Sequence, residues 1–256
     1  MTLLREERRP DGVALITLDR PAQRNALSLE MLQALSAALA RAQDARAVVL
    51  LAEGPAFCAG HDLRELTAAR AEPDGGRGFF TRTMAACSAA MRAVVEHPVP
   101  VIAAVEGIAT AAGCQLVASC DLAVATPAAK FCTPGVDIGL FCSTPAVALS
   151  RNAGRKQAME MLLTGRLVPA EEAAALGLVN RVVPDARAAA LELAAGIAAR
   201  GETTIRMGKA GFLAQEGRSL QEAYDIASAV MVENLMAADA REGIDAFLNK
   251  RPGKKQ

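Results

Sequence analysis

Four short runs of apolar residues constrain the fold of this chain more than any other feature. They cover Val13–Leu18 and residues 47–54, 99–107 and 121–126. Each run is apolar along nearly its whole length rather than at alternate positions, which is typical of strands buried on both faces. Helical patterns separate the runs, so we expect an α/β fold in which the strands pair in parallel beneath covering helices.

The second half of the chain is dominated by helical patterns. From about residue 145 onward only "LVNRVVP" reads as a strand, whereas 185–200, 203–215, 219–237 and 240–250 read as helices. The last three helices are amphipathic. A terminal group of helices with exposed apolar faces usually packs on its own core or on another subunit. We place a domain boundary near residue 195.

Composition excludes several functional classes. The 256-residue chain has a formal net charge of zero and only 3% aromatic residues, which does not favour nucleic-acid binding. No apolar run reaches the roughly 18 residues of a membrane span. The N-terminal "MTLLREERRPDG" is charged and has no apolar signal segment. We therefore expect a cytoplasmic protein without a membrane span.

The cysteines favour buried thiols over a metal site or a disulfide framework. The chain has six cysteines and two histidines, and no two cysteines form a Cys-x-x-Cys pair. Irregular spacing of this kind in a chain this long argues against both zinc and disulfides. We expect no metal, and most of the thiols buried in an intracellular protein.

Two stretches of small residues follow apolar strands and precede helices. One is "ATAAGCQLV" (109–117) and the other is "GPAFCAGHDLREL" (54–66), in which Asp62 is positioned to cap a helix. The first N–H groups of a helix lack internal partners and favour negative charge. Small side chains either let an oxygen reach such groups or allow tight packing of helix on strand. Two turns of this kind could form an oxyanion hole.

Several segments together resemble a known family. They are "AFCAGHDL", "PVIAAVEG…AAGCQL…CDLAVA", "FCTPGVDIGL", "AMEMLLTGRLVPAEEAAALGLVNRVV" and "REGIDAFLNKR", in this order. They resemble the enoyl-CoA hydratase/isomerase (crotonase) superfamily over residues 10–251, and one branch of it most. The resemblance implies a spiral of ββα turns: an acyl-CoA-binding core of residues 1–195 and a C-terminal α-helical trimerisation region of residues 196–256. It also implies a homotrimer or dimer of trimers, and acyl-coenzyme A as substrate or ligand with no prosthetic group.

The resemblance also assigns candidate site residues. It implies that the main-chain N–H groups of His61 and Ala112 hold a thioester oxygen and stabilise an enolate. The loop "PAQRNAL" corresponds to the family's CoA-binding loop. The further candidates for CoA contact are Arg24, Ala26, Ala59, Gly60, Asp62, Phe247 and Lys250.

The chain departs from the family's hydratases at two positions. These hydratases carry two catalytic glutamates, which fall on Gln115 and Gly135 of this chain. An amide does not exchange protons near neutral pH, and glycine has no side chain. A positioned acid or base contributes about 100- to 10,000-fold to rate, so we expect hydration to be very slow. Gln115 either orients a water molecule or satisfies a buried backbone group.

Other side chains are open alternatives for the missing chemistry. Asp137 is either a displaced acid or base or a cap of the next turn, and Cys142 and Ser143 are candidate nucleophiles. The His61 imidazole either carries a proton or faces solvent. Glu65 and Glu106 are weaker candidates. The sequence thus leaves three functions open: an enzyme acting through enolate stabilisation, a non-catalytic acyl-CoA-binding protein and an acyl-CoA thioester hydrolase.

Overall fold

A computed structural model describes residues 3–249 as a mixed α/β structure with two sheets. The larger sheet has the order β1-β2-β3-β5-β7-β10, and the smaller has the order β4-β6-β8-β9. The strands are β1 (Leu4–Arg8), β2 (Val13–Leu18), β3 (Ala47–Ala52), β4 (Ala56–Cys58), β5 (Val101–Val105), β6 (Ile108–Thr110), β7 (Leu122–Ala125), β8 (Lys130–Cys132), β9 (Val168–Pro169) and β10 (Arg181–Val182).

The helices follow the strands in a repeating pattern. Three successive strand pairs, β3–β4, β5–β6 and β7–β8, each give one strand to each sheet and then enter a helix or 3₁₀ turn. The helices are α1 (Leu29–Arg41), α2 (Leu63–Ala69), α3 (Arg77–Val95), α4 (Ala112–Ser119), α5 (Ser143–Asn152), α6 (Arg155–Thr164), α7 (Ala170–Ala175), α8 (Ala186–Ala198), α9 (Glu202–Gln215), α10 (Leu220–Met236) and α11 (Ala238–Asn249), with 3₁₀ turns at Pro21–Gln23 and Pro134–Ile138. The expected spiral of ββα turns is confirmed.

The larger sheet is buried on both faces, as its continuous apolar runs predict. Along β2, Val13 and Leu15 pack with the alanines of α8 on one side, while Ala14 and Ile16 join the main core on the other. The pairs β2–β3, β3–β5, β5–β7 and β7–β10 are parallel. Alternate residues of one strand therefore enter two different cores, which is why no polar alternation is visible in the sequence.

Three parts of the fold differ from the sequence-based expectation. Strand β1, in the charged N-terminal segment, pairs antiparallel with β2 at the sheet edge. The short strands of the smaller sheet were not predicted. The sequence predicts that residues 64–80 start as a helix and break into a mobile loop. The helix is present as α2, which ends at Ala69, but α3 already begins at Arg77, so only residues 70–76 connect the two helices. The Asp74 carboxylate starts α3 by accepting the N–H groups of Gly76 and Gly78.

The C-terminal helices contact the core through few buried groups. Residue 195, the predicted boundary, lies in the last turn of α8, which still packs on the sheet. Helix α9 is attached by Lys209, whose Nζ lies 2.6 Å from Asp121 Oδ2. Neither α10 nor α11 buries a side chain, and both expose large apolar residues, among them Tyr224, Met231 and Leu235.

The remaining global expectations concern thiols, metals and membranes. All six cysteines are free and buried, which confirms the prediction of buried thiols. Among residues 3–249, no group of three or more His, Cys, Asp or Glu side chains is arranged to hold a metal ion. Within the same range, no helix combines the length and the apolar character that crossing a membrane requires.

Candidate active site

The first turn of the candidate site leads from β4 into α2. Gly60 has φ +82°, a left-handed conformation that glycine adopts without strain. His61 follows, and Asp62 then caps α2 by accepting the N–H groups of Arg64 and Glu65, as the sequence predicts. The turn is fixed from the side by Leu27, whose N–H donates to the Gly60 carbonyl at 2.8 Å and whose carbonyl accepts from Asp62.

The second turn leads from β6 into α4 through a strained residue. Ala111 has φ +51° and ψ −118°, a conformation that is costly for a residue with a Cβ. Its ψ is rotated some 75° from the value of an ordinary helical residue. Because ψ of Ala111 sets the plane of the next peptide, this strain determines where the Ala112 N–H points. Nothing in the sequence indicates a positive φ at an alanine.

The two turns lie against each other. A Cβ added to Gly60 would lie 2.9 Å from Ala111 Cβ, 3.0 Å from the Thr110 carbonyl oxygen and 3.3 Å from the Ala112 nitrogen. Gly113 lies against the Cys58 carbonyl in the same way, so tight helix-on-strand packing accounts for part of the small-residue stretch. The structure thus brings the backbone of residues 60–61 beside that of residues 111–112.

The main-chain N–H groups of His61 and Ala112 are not used by the fold. Neither donates a hydrogen bond to another residue of the 3–249 range. Ala112 is the first residue of α4, where an N–H has no intrahelical acceptor. Two adjacent, unpaired main-chain donors are what an anionic oxygen requires.

The loop between β2 and α1 is attached to the first turn. The Arg24 carbonyl accepts the Ala59 N–H at 3.0 Å, which places Arg24 beside the strand end that leads to His61, and Ala26 is buried in the same loop. The loop keeps its shape through Asn25, which is fully buried and also left-handed, with φ +54°. Its side chain accepts from Arg20 N and donates to the carbonyls of Glu53 and Ala56. This role was not predicted, although asparagine is the non-glycine residue that best tolerates such a conformation.

Gln115 lies one turn into α4 and is buried. Its Oε1 lies 3.9 Å from the Cys87 Sγ of α3. Its Nε2 has no hydrogen-bond partner within residues 3–249 and is not fully enclosed. Burial raises the pKa of Cys87 to about 11, so this thiol is protonated at neutral pH and donates to the amide oxygen. The side chain therefore presents an N–H₂ donor and no proton-transfer group.

Gly135 is enclosed by the chain that follows it. A Cβ at this position would collide with the Leu140 carbonyl oxygen and lie 2.8 Å from Cys142 Sγ. The loop is closed by the Leu140 N–H, which donates to the Gly135 carbonyl at 2.8 Å. The space that a side chain at position 135 would enter is thus filled by backbone and by a buried thiol.

The His61 imidazole has an unusual environment. Both ring nitrogens are shielded from solvent, and neither has a hydrogen-bond partner within the described residues. Burial lowers the pKa of His61, while the nearby Leu27 carbonyl opposes this effect. The ring is therefore neutral at pH 7 and carries one donor and one acceptor that the fold leaves unused.

The other candidate side chains are placed as follows. Asp137 is exposed, with a carboxylate oxygen near Gly165. Burial raises the pKa of the Cys142 thiol, and the exposed Ser143 hydroxyl donates to the Phe141 carbonyl.

The remaining candidates lie farther from the two turns or have other partners. Glu65 accepts the Leu29 N–H at the start of α1, and the exposed Glu106 is 4.0 Å from Arg187. Phe247 is exposed on α11, whereas Lys250 lies outside the described residues.

An open cavity of about 630 Å³ lies at the start of α3. Phe80, Met84 and Arg77 are among its lining residues. Met84 precedes Cys87, the contact of Gln115, by about one turn of α3.

Comparison with known proteins identifies the family. The enoyl-CoA hydratase/isomerase family model matches residues 8–255. The chain belongs to the enoyl-CoA hydratase/isomerase family. Enoyl-CoA hydratases use CoA thioesters as substrates without a prosthetic group.

Individual relatives refine this assignment. The chain is 47% identical to enoyl-CoA hydratase domain-containing protein 3 of Rattus norvegicus over 97% of its own length and 83% of that protein. A crystal structure of the human protein of that name matches with a TM-score of 0.91 and 44% identity over 98% of this chain and 99% of that chain. A crystal structure of enoyl-CoA hydratase from Mycobacterium smegmatis matches with a TM-score of 0.92 and 51% identity over 98% of both chains. The branch that the sequence resembles most is thereby confirmed as enoyl-CoA hydratase domain-containing protein 3.

The prediction of a cytoplasmic location is wrong. The rat, mouse and human relatives are all named as mitochondrial proteins. Targeting segments are recognised by import receptors and form no part of a folded domain. The composition of a folded domain therefore does not reveal the compartment in which the protein is located.

Proposed function

We propose that this protein binds an acyl-CoA thioester and stabilises its enolate, and that it hydrates enoyl-CoA esters weakly or not at all. The thioester oxygen is held by the main-chain N–H groups of His61 and Ala112. The observation that carries the proposal is the pair of unused donors beside the close contact of Gly60 with Ala111 and Ala112. Losing one such donor typically costs about 100- to 1,000-fold in rate.

Weak hydration follows from the absence of a proton carrier at the two glutamate positions. Gln115 offers an amide N–H₂ group, which donates a hydrogen bond but does not return a proton. Gly135 has no side chain, and the loop of residues 135–142 leaves no room for one. Neither position can therefore activate a water molecule.

Ligand binding extends this proposal to the CoA moiety and the assembly. We place Arg24 and Ala26 on the CoA, with Ala59, Gly60 and Asp62 flanking the thioester, and Phe247 and Lys250 near the nucleotide. Residues 1–195 form the ligand-binding core. Residues 196–256 form the oligomerisation region of a homotrimer or dimer of trimers, which is supported by the exposed apolar side chains of α10 and α11.

Two assays test the proposed function. Calorimetry should detect binding of butyryl-CoA, and hydration of crotonyl-CoA should be far below the roughly 10 s⁻¹ of an ordinary enzyme. Absence of butyryl-CoA binding would contradict the ligand assignment. Hydration at tens of turnovers per second that is unaffected by Gln115→Ala would contradict the mechanism.

A further inference from the structure

Among residues 3–249, the buried side-chain polar atoms without a hydrogen-bond partner belong to only two residues. They are both ring nitrogens of His61 and the hydroxyl of Thr83. A buried polar group without a partner costs about 1–3 kcal/mol, so folded proteins rarely retain one without a reason. His61 retains two, and it also carries one of the unused main-chain donors. The chain thus concentrates unsatisfied polar atoms on a single residue of the candidate site.

The imidazole can reach the atom next to the thioester carbonyl. By bond lengths alone, the ring nitrogens of a histidine lie roughly 3–5 Å from its own main-chain nitrogen. An oxygen held by the His61 N–H brings the adjacent α-carbon to a similar distance from this residue. The ring nitrogens are enclosed in the unliganded structure, so the ring reaches the α-carbon by rotation about its side-chain bonds. The Leu27 carbonyl lies close enough to influence the ring without hydrogen-bond geometry. Hydrogen bonds of this kind are often loose in unliganded sites and tighten when the ligand binds.

The two carboxylates at the first turn already accept main-chain N–H groups: Asp62 accepts those of Arg64 and Glu65, and Glu65 accepts that of Leu29. Gln115 does not titrate and Gly135 has no side chain, while Asp137 is exposed. Burial raises the pKa of Cys58 to about 12 and that of Cys87 to about 11, so both thiols hold their protons at neutral pH. A neutral imidazole without a hydrogen-bond partner can accept a proton and release it again.

We propose that the imidazole of His61 moves the α-proton of the bound acyl-CoA ester, while the main-chain N–H groups of His61 and Ala112 hold the thioester oxygen. The α C–H bond breaks, its electron pair forms the enolate and the proton passes to a ring nitrogen. The other ring nitrogen keeps its proton and donates a hydrogen bond to the Leu27 carbonyl. The imidazolium then exchanges this proton with a water molecule. Return of a solvent-derived proton from the imidazolium to the α-carbon restores the ester, so the net reaction is exchange of the α-proton with solvent.

This inference rests on the proposed function, and one experiment separates the two. The full-length protein is incubated with butyryl-CoA in D₂O, and α-deuterium is measured by mass spectrometry. The substitution His61→Ala removes the ring but keeps the main-chain donor. We expect His61→Ala to slow exchange by about 100-fold or more while butyryl-CoA affinity changes less than about threefold. Added imidazole should restore part of the exchange, which a purely structural role of the ring would not permit.

Each outcome has a definite meaning. Failure of the wild type to bind butyryl-CoA overturns the proposed function. Binding without exchange by the wild type, or equal exchange by wild type and His61→Ala, overturns the role of the imidazole alone. If His61→Ala lowers the melting temperature, His61→Gln is measured in the same way, and imidazole rescue of either variant supports the proposal. Loss of butyryl-CoA binding in a folded His61→Ala variant makes the ring a binding group and contradicts proton transfer.

Discussion

Gly60 controls the distance between the two turns of the candidate site. Its φ of +82° aims the following peptide, and its missing side chain lets the backbone of residues 110–112 approach. A Cβ here would meet Ala111 Cβ at 2.9 Å and the Thr110 carbonyl oxygen at 3.0 Å. These neighbours are backbone or a short side chain, so they cannot rotate away. Both conformation and space therefore require glycine.

Gly60→Ala should separate the two donors and weaken binding of butyryl-CoA by tenfold or more, which corresponds to about 1.4 kcal/mol. Gly217→Ala is the matched control, because Gly217 also has a positive φ of +70° but no described atom within 4 Å of the added Cβ. Both variants should lose about 1 kcal/mol of stability from the left-handed conformation. Calorimetry and thermal unfolding measure the two effects. Equal affinity in both variants would contradict this role of Gly60.

Restoring the missing carboxylates should not restore hydration. Gln115→Glu exchanges an amide for a carboxylate of nearly the same size. Gly135→Glu instead places a Cβ against the Leu140 carbonyl oxygen. We expect Gly135→Glu to lower the free energy of unfolding by about 1–3 kcal/mol, as overpacking does. The double variant should hydrate crotonyl-CoA no faster than Gln115→Glu alone, as measured by the loss of enoyl absorbance. A stable double variant that hydrates crotonyl-CoA faster than Gln115→Glu alone would contradict this prediction, because the loop of residues 135–142 would then have moved to make room for the side chain.

At the scale of elements, the loop between β2 and α1 depends on a single buried side chain. Asn25 connects this loop to Glu53 and Ala56, which flank the β3–β4 connection, and the loop in turn supports the Ala59–Asp62 turn. A substitution at Asn25 therefore alters the loop, and the main-chain hydrogen bonds between the loop and the Ala59–Asp62 turn transmit this change to the candidate donors.

Asn25→Ala should reduce both stability and butyryl-CoA binding. Each lost hydrogen bond leaves a buried group unpaired, so we expect a loss of about 3 kcal/mol in the free energy of unfolding. Asn25→Gly relieves the positive φ and removes the same bonds, so it should lie within about 1 kcal/mol of Asn25→Ala. Urea denaturation measures both values. A loss below 0.5 kcal/mol in Asn25→Ala would contradict this account of the loop.

Elements with a continuous apolar run could be predicted, and elements held by backbone contacts could not. Strands β2, β3, β5 and β7 could be predicted because both of their faces are buried, which makes their sequences continuously apolar. Strand β1 is charged and pairs through its backbone at an edge, while β4, β6 and β8 have three residues each, too few to show a period. At the candidate site, the sequence placed two small-residue turns after strands. It could not predict the strain at Ala111 or the filled space at Gly135, because these arise from contacts distant in sequence.

At the scale of the whole molecule, a partly buried ion pair joins the helical region to the core. Lys209 and Asp121 are only 8% and 26% exposed, and the Asp121 carboxylate also accepts the Val101 N–H at the start of β5. Burial raises the pKa of Asp121, while Lys209 opposes that rise. This attachment of α9 is therefore electrostatic, unlike the apolar contacts of α8.

Lys209→Met should leave a partly exposed carboxylate without its counter-charge and cost more than about 1 kcal/mol at neutral pH. A raised pKa in the folded state means that the protonated form contributes stability below the unfolded pKa, and that this stability is lost as pH rises through the folded pKa. The deficit of Lys209→Met should therefore shrink as the pH is lowered. Arg92→Met is the control, because its pair with Glu96 is 73% and 57% exposed and should be worth less than about 1 kcal/mol. Denaturation at several pH values measures this, and a pH-independent deficit would contradict it.

The most direct measurement is a crystal structure of the full-length protein with butyryl-CoA bound. We predict that the thioester oxygen lies about 2.7–3.1 Å from the main-chain nitrogens of both His61 and Ala112. A thioester oxygen that faces solvent, or that is held by other groups while these two nitrogens remain without a ligand, would contradict the central claim.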